Sequence, residues 1–132
     1  MKIFIFAALL VLSQQGITQE TITVRKYDKV YTFVEVMPQF PNVDSLLYNY
    51  LARRIVYPDS AKQNQIQGKV FTSFIVEIDG SISNLKTERS PHPLLSAEAI
   101  RVIMLMPNWI PGEQNGKAVR VRYVLPIYFK LS

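Results

Sequence analysis

The most regular pattern of hydrophobic and polar positions lies in residues 68–89. Residues 70–78 divide into two alternating sets, and this period of two is typical of a β-strand. The dipeptide Asp79-Gly80 follows, and it tolerates the positive φ that a tight hairpin turn needs. A second strand continues through residues 82–87. The segment therefore predicts a β-hairpin, around which the remaining elements can be arranged.

Two segments beside the hairpin carry apolar residues at helical spacing. The first predicts a helix over residues 44–55, and a short second helix is expected over residues 59–64. The second segment predicts a helix over residues 94–106. Within that helix, Glu98 and Arg101 are expected to face water.

The C-terminal residues 117–131 predict a long last strand. Its odd-numbered residues from Val119 to Leu131 form one continuous apolar face, which must be buried. A further strand is expected near residues 30–36. The order of elements is then β–α–α–β–β–α–β. This order predicts an α+β fold with two main helices packed on one face of a small, mainly antiparallel three- to four-stranded sheet.

The inward faces of these elements predict the hydrophobic core. Trp109 is expected to anchor the loop of residues 108–116, and its indole N–H needs a hydrogen-bond partner if it is buried. Phe40, between two prolines, is expected to pack onto the same core. The predicted core residues are Leu47, Leu51, Phe74, Val76, Ile103, Trp109, Tyr123 and Leu125.

Residues 1–19 have the layout of a secretory signal peptide. Lys2 is positive, residues 3–12 are apolar, and residues 13–16 are polar and small. Such an apolar run spans about 15 Å as a helix, roughly half of a bilayer core, which disfavours a stable membrane anchor. We expect a signal peptide over residues 1–19, or alternatively a short N-terminal anchor. An extension with a strand over residues 20–36 and one domain over residues 37–132 follow.

Composition and charge exclude several classes of site. The chain has 132 residues, a net charge of +5 and no cysteine, which excludes disulfides and thiolate chemistry. Its basic residues are scattered and match no nucleic-acid-binding motif, which favours a solvated surface over a nucleic-acid partner. The single histidine, His92, lies in a proline-flanked linker without an orienting partner, and no serine sits in a nucleophile-elbow motif. We expect no enzyme activity, no cofactor and no metal site.

A series of short motifs follows the chain in a specific order and spacing. These motifs are Tyr57-Pro58, Ala61, Gly68-Lys69-Val70, Phe74-Ile75-Val76, Asp79-Gly80-Ser81-Ile82, Pro91-His92-Pro93-Leu94, Glu98-Ala99-Ile100-Arg101, Met106-Pro107-Asn108-Trp109-Ile110-Pro111-Gly112, Gln114-Asn115-Gly116-Lys117 and Leu125-Pro126-Ile127-Tyr128-Phe129. Each is weak alone, but together they resemble the C-terminal domain of the TonB family over about residues 37–131. The chain is most similar to the short TonB-like domains common in Bacteroidota.

The resemblance implies a periplasmic domain that binds the TonB box, an extended peptide near the N-terminus of an outer-membrane receptor. In that family the peptide adds as a strand beside the sheet, and force from a proton-driven inner-membrane motor then opens the receptor for uptake. TonB proper has a transmembrane anchor and a long proline-rich spacer, which this sequence does not match. If residues 1–19 are cleaved, the domain could bind receptors but could not pull them. Motor proteins are therefore partners only if those residues anchor the chain.

The residues themselves indicate a similar site on the last strand. Pro126 has no N–H to donate, and proline within a strand is typical of an edge or a bulge. An unpaired edge is either protected against aggregation or used to bind an extended peptide, and Arg120 and Arg122 fit both uses. The residues predicted to contact the peptide are Tyr57, Pro58, Val119, Arg120, Val121, Arg122, Tyr123, Val124, Leu125, Pro126 and Ile127.

Two hypotheses of function remain open. The first is a TonB-like periplasmic module that binds receptor peptides, with Tyr57 beside the peptide as the resemblance favours. Tyr57 as a packing residue at a helix end is the alternative. The second hypothesis is a structural or assembly protein of the envelope, which uses the same edge to form a homodimer or to join a complex. Binding of TonB-box peptides and the size of the purified protein distinguish the two.

The layout of residues 1–19 generates a prediction about export. If these residues are a cleaved signal peptide, mass spectrometry of the protein from its native envelope should find a mature start between Ile17 and Glu20. A protein that retains residues 1–19 and is extracted only with detergent would contradict cleavage and favour the anchor.

Overall fold

The computed structural model describes residues 29–41 and 45–132, without the side chain of Ser45. The predicted signal peptide and the start of the predicted extension lie outside these residues. Within them, no helix combines the length and the hydropathy that a membrane span requires. The described elements are β1 (Val30–Tyr31), α1 (Ser45–Arg54), α2 (Asp59–Gln63), β2 (Gly68–Val76), β3 (Ile82–Arg89), α3 (Pro93–Met104), β4 (Gly112–Gln114) and β5 (Lys117–Phe129).

The strands form a mixed sheet in the order β1-β5-β2-β3, with β4 paired to the start of β5. β2 and β3 form the predicted antiparallel hairpin. β2 also pairs antiparallel with β5, from Gly68 opposite Phe129 to Val76 opposite Val121. β1 runs parallel to β5. The predicted α+β class is therefore confirmed, but the sheet has a parallel pair and a fifth strand that the sequence pattern did not predict.

The strand predicted near residues 30–36 is shorter than expected. β1 has two residues, and Val36 instead forms an isolated antiparallel bridge with Glu113. Gln39 forms a second bridge with Ile110, and the backbone hydrogen bonds of the two bridges measure 2.8 to 3.1 Å. The segment before α1 is thus bonded to β4 and to the loop that precedes it.

The turn between β2 and β3 depends on Gly80. Its φ is +88°, which glycine adopts without steric cost, and a Cβ here would lie 2.1 Å from the carbonyl oxygen of Trp109. Asp79 closes the turn, because its Oδ1 accepts the backbone N–H of Ser81 at 2.9 Å. The Gly80 carbonyl accepts the Trp109 backbone N–H at 2.8 Å. The predicted turn therefore also holds the loop before β4.

His92 begins helix α3, although the sequence indicated only a stiff linker there. Its Nδ1 accepts the backbone N–H of Leu94 at 3.1 Å, which satisfies one of the donors that a helix start leaves unpaired. Pro93 occupies the first position of the helix, where its missing N–H removes no helical hydrogen bond. His92 therefore has a structural role as an N-cap.

One hydrophobic core joins residues of α1, α3, β2 and β5 with Phe40 and Trp109. Trp109 is 3% exposed, and its ring lies between 4.9 and 5.8 Å from those of Phe40, Phe74 and Tyr123. Tyr123 is half-buried, whereas the other seven predicted core residues are buried. Contrary to expectation, the indole N–H of Trp109 has no hydrogen-bond partner among the described residues.

Replacement of Trp109 tests this aromatic cluster. Trp109→Ala should lower the free energy of unfolding by about 3–5 kcal/mol, because a large buried ring is lost and a cavity remains. Trp109→Phe should cost clearly less, because it keeps part of the ring packing and removes a donor that has no described partner. Urea unfolding followed by circular dichroism measures both, with Ile110→Ala at the exposed neighbour as the control. A loss under about 1 kcal/mol for Trp109→Ala would mean that the ring is not a core element.

Candidate functional site

β5 is covered on its two sides to different extents. β2 lies along it from Val121 to Phe129, whereas β1 pairs on the opposite side with only Arg120 and Val121. On that opposite side, none of the residues in 29–41 and 45–132 pairs with β5 beyond Val121. We call this side of residues 122–129 the open edge. The edge predicted over the whole last strand is therefore wrong for its first part, where β4 and β1 are bonded.

One side-chain hydrogen bond shows which backbone groups face the open edge. The carbonyl of Leu125 accepts the hydroxyl of Thr72 in β2 at 2.8 Å, so this carbonyl points toward β2. Along an antiparallel strand, consecutive residues direct their N–H and C=O groups to opposite sides. The backbone groups of Val124, Pro126 and Tyr128 therefore point to the open edge.

Pro126 lies in the middle of the open edge. Its neighbours at the same side, Val124 and Tyr128, each offer an N–H and a carbonyl, whereas Pro126 offers only a carbonyl. Because this position faces away from β2, the missing N–H does not interrupt the ladder with β2. The proline is thus placed as its chemistry predicts, at an edge.

Arg120 and Arg122 are engaged by carboxylates on the solvent-facing side of the sheet. Arg120 Nε lies 2.6 Å from Glu77 Oε1, and Arg122 pairs with Glu88, which also accepts the Ser73 hydroxyl at 2.7 Å. The hydrogen bond from Arg120 holds the pKa of Glu77 below its usual value. The sequence left open whether these arginines protect the edge or attract a peptide. In the structure both are paired within the domain, and Glu88 also lies 3.6 Å from Lys86 Nζ.

Three exposed apolar side chains flank the open edge on the same face. Val124 and Tyr128 are 52% and 60% exposed, and Pro126 between them is also exposed. Lys69 of β2 extends over the Tyr128 ring, with Nζ 5.9 Å from the ring centroid. We call Val124, Pro126 and Tyr128 the apolar row. A strand added at the open edge would place alternate side chains beside this row.

Tyr57 and Pro58 lie at the far end of β5. The Tyr57 ring packs edge-on against Phe129 with centroids 5.7 Å apart, and its hydroxyl donates to the carbonyl of Ile66. Pro58 is the residue before α2 and occupies its N-cap position. The contacts of Tyr57 are therefore those of a packing residue at a helix end. Tyr57 lies beside Phe129, near the end of β5, and not beside Val119.

The other edge of the sheet, β3, is irregular. Its register with β2 shifts twice, and Asn84 has a φ of +49°. Lys86, Glu88 and Arg89 are exposed along it. Irregular pairing and charged side chains are devices by which edge strands avoid further pairing. Of the two edges, β5 is the more regular template for another strand.

The described residues contain no group of three metal-ligating side chains that could hold an ion. Three of their carboxylates pair with an arginine, namely those of Glu77, Glu88 and Glu98. What this surface offers to a partner is a row of backbone donors and acceptors beside apolar side chains.

Comparison with known proteins decides the family. The sequence model described as the Gram-negative bacterial TonB protein C-terminal matches residues 53–131. This chain belongs to the TonB C-terminal family. Among solved structures, the NMR solution structure of the Helicobacter pylori TonB C-terminal domain is similar, with a TM-score of 0.51 and 24% identity over 70% of this chain and 87% of that one. A search of curated protein sequences finds no match.

Residues that precede the matched segment also form part of the folded TonB-type domain. The match begins at Arg53, near the end of α1. β1, the two bridges at Val36 and Gln39, and the buried ring of Phe40 all precede it. These residues are bonded to β5 and to the loop around β4, so the described domain begins no later than β1.

Glu98 holds the connection between α1 and α2 of the TonB-type domain. It was predicted to face water but is 8% exposed. Its Oε2 accepts the Val56 backbone N–H at 2.6 Å, and Arg101 donates to both of its carboxylate oxygens. Arg101 also donates to the Arg54 carbonyl at 2.9 Å, one of the carbonyls that a helix end leaves unpaired. The pair therefore joins α3 to the chain just before Tyr57.

Removal of the Glu98 carboxylate should destabilise the domain in a pH-dependent way. At neutral pH, Glu98→Ala should cost about 1–3 kcal/mol, because the Val56 N–H then lacks an acceptor. The hydrogen bond from Arg101 lowers the pKa of Glu98 in the folded state, so its stabilisation is present above the unfolded-state pKa and is lost as pH falls through the folded-state pKa.

Urea unfolding of wild type and Glu98→Ala across a pH series measures this effect. The difference between the two should shrink on acidification below about pH 4. Glu113→Ala, which removes an exposed carboxylate, is the control and should differ little from wild type. A difference that stays constant over the series would show that the charge of Glu98 does not matter.

Proposed function

We propose that this chain is a periplasmic TonB-type module that binds the TonB box of outer-membrane receptors during energy-dependent nutrient uptake. The peptide adds as a strand to the open edge of β5. The observation that carries the proposal is this edge, a regular stretch of strand with outward-facing backbone groups in a domain of the TonB C-terminal family.

Main-chain pairing supplies most of the binding free energy in such a complex. Each ladder hydrogen bond contributes about 0.5–1.5 kcal/mol net, and the outward groups of Val124, Pro126 and Tyr128 provide several. The side chains of the apolar row then select among peptides, as pockets for alternate side chains do in other strand additions. Acidic residues of the peptide gain little here, because Arg120 and Arg122 are paired with Glu77 and Glu88.

The proposed contact lies further along β5 than the sequence alone indicated. Val119 is paired with β4, and Arg120 and Val121 are paired with β1. The peptide therefore pairs with residues 122–129. Tyr57, packed on Phe129, lies near the end of this stretch.

The partners beyond the receptor depend on residues 1–19. If they are a cleaved signal peptide, the product is a free periplasmic module that binds receptor peptides without a link to the inner-membrane motor. If they remain as an anchor, the motor proteins are partners as well. The mature start predicted above distinguishes these two arrangements.

A second candidate function uses the same surface. An envelope structural or assembly protein would pair the open edge with a second copy or with another component of a complex. The apolar row favours this candidate, because exposed apolar side chains beside an unpaired strand promote association. A protein that is dimeric when purified and does not bind TonB-box peptides would support it.

Backbone pairing can be tested at Val124. Val124→Pro removes an outward N–H and should weaken binding of a labelled TonB-box peptide by roughly 2- to 12-fold, the equivalent of one hydrogen bond. Val124→Ala keeps that N–H and is the matched control for the loss of the side chain. Fluorescence anisotropy gives the affinities, and circular dichroism confirms that each variant is folded.

A further variant tests the role of charge in the same titration. Arg120→Glu should have a small direct effect on binding, since Arg120 is already paired with Glu77, but it breaks that pair and so lowers stability. If Val124→Pro, Arg120→Glu and wild type bind the peptide equally well, the site lies elsewhere on the domain. The loop of residues 108–116 would then be the next surface to examine.

A further inference from the structure

Two kinds of strand can pair with the open edge: a foreign peptide, or the same edge of a second copy of this chain. Both could use the outward groups of Val124 and Tyr128. Both could also cover the apolar row, which is more than half exposed at those two residues. Protection of the edge by charge is weak here, because Arg120 and Arg122 are paired with Glu77 and Glu88.

We infer that Pro126 makes the open edge select a foreign extended peptide over a second copy of this chain. The inference rests on the proposed function for the identity of the peptide, but not for the behaviour of the second copy. It follows from the position of Pro126 at an outward-facing point of the edge, between two residues that each carry a donor.

The selection arises because the dimer contains two copies of Pro126, whereas the peptide complex contains one. A two-fold pairing of β5 with itself is antiparallel and brings together the outward positions of both copies. Any such register that includes Pro126 contains two prolines, one from each copy, and lacks two hydrogen bonds. A foreign peptide paired over the same residues meets Pro126 once and lacks a single hydrogen bond. The proline therefore weakens self-pairing twice as much, in free energy, as it weakens peptide binding.

Pro126→Ala restores one outward donor per chain and should strengthen dimerisation and peptide binding by different factors. The affinity for a synthetic TonB-box peptide should rise by about 2- to 12-fold, the equivalent of one hydrogen bond. The association constant for the dimer should rise by the square of that factor, about 5- to 150-fold. Since Pro126 is exposed and its ladder with β2 needs no N–H at this position, the substitution should leave the fold intact.

Three further variants test whether the effect lies at the open edge. Val124→Pro removes a neighbouring donor and should weaken both the dimer and the peptide complex. The double variant Val124→Pro/Pro126→Ala has the same number of outward donors as wild type and should return to wild-type dimerisation. Pro107→Ala replaces an exposed proline beyond the end of α3 and should change neither quantity.

Analytical ultracentrifugation gives the dimer constants, and anisotropy with the synthetic TonB-box peptide gives the affinities. Amide hydrogen exchange should show protection of the Val124 and Tyr128 N–H groups in the Pro126→Ala dimer. Unchanged dimerisation of Pro126→Ala would overturn the inference, as would a gain in peptide affinity equal to or larger than the gain in dimerisation.

The two proposals fail in different ways. If the peptide does not bind wild type or Pro126→Ala, the proposed function fails at this edge. The dimer constants of Pro126→Ala and of the double variant still decide whether Pro126 opposes self-pairing. If the peptide binds and Pro126→Ala remains monomeric, the proposed function stands and the role of Pro126 is rejected.

Discussion

The antiparallel ladder between β2 and β5 is the constraint from which the other features of the domain follow. It runs from Gly68 opposite Phe129 to Val76 opposite Val121. Because side chains alternate across a sheet, its register directs Leu125 into the core and Val124 to solvent. The same register decides which backbone groups β2 uses and which face the open edge. A register slip of one residue would therefore exchange the buried with the exposed side chains of β5, and the backbone groups that face β2 with those that face the open edge.

The helices and the hairpin could be predicted because short stretches of sequence encode them. The alternation in β2, the Asp79-Gly80 turn and the helical spacing in α1 and α3 each depend on residues a few positions apart. β1 was harder, since the alternation of residues 30–36 continues beyond the two residues that find a partner on β5. Its length is set by where the chain leaves β5 to bridge Glu113, which local sequence does not encode.

The polar contacts of the candidate site could not be predicted, because their partners meet only in the folded chain. The spacing of Glu98 and Arg101 signals an ion pair on a helix, but not that the Val56 backbone N–H would donate to the Glu98 carboxylate. The pairs of Arg120 and Arg122 likewise need the register of β5 with β2 and β3. His92 was missed as a cap because histidine is not among the preferred N-cap residues. Pro126, whose signal is the absence of an N–H, could be placed at an edge from sequence alone.

The residues before the matched family segment also determine what the folded unit is. A fragment that began at residue 53 would lack β1, both bridges and the Phe40 ring that packs on Trp109. The uncovered side of β5 would then lengthen to include Arg120 and Val121, two residues that β1 now covers. The boundary of the matched segment therefore differs from the boundary of the paired and packed structure. A fragment cut at the family boundary would be less stable and would expose a longer unpaired stretch of β5. Its tendency to self-associate would therefore differ from that of the whole chain.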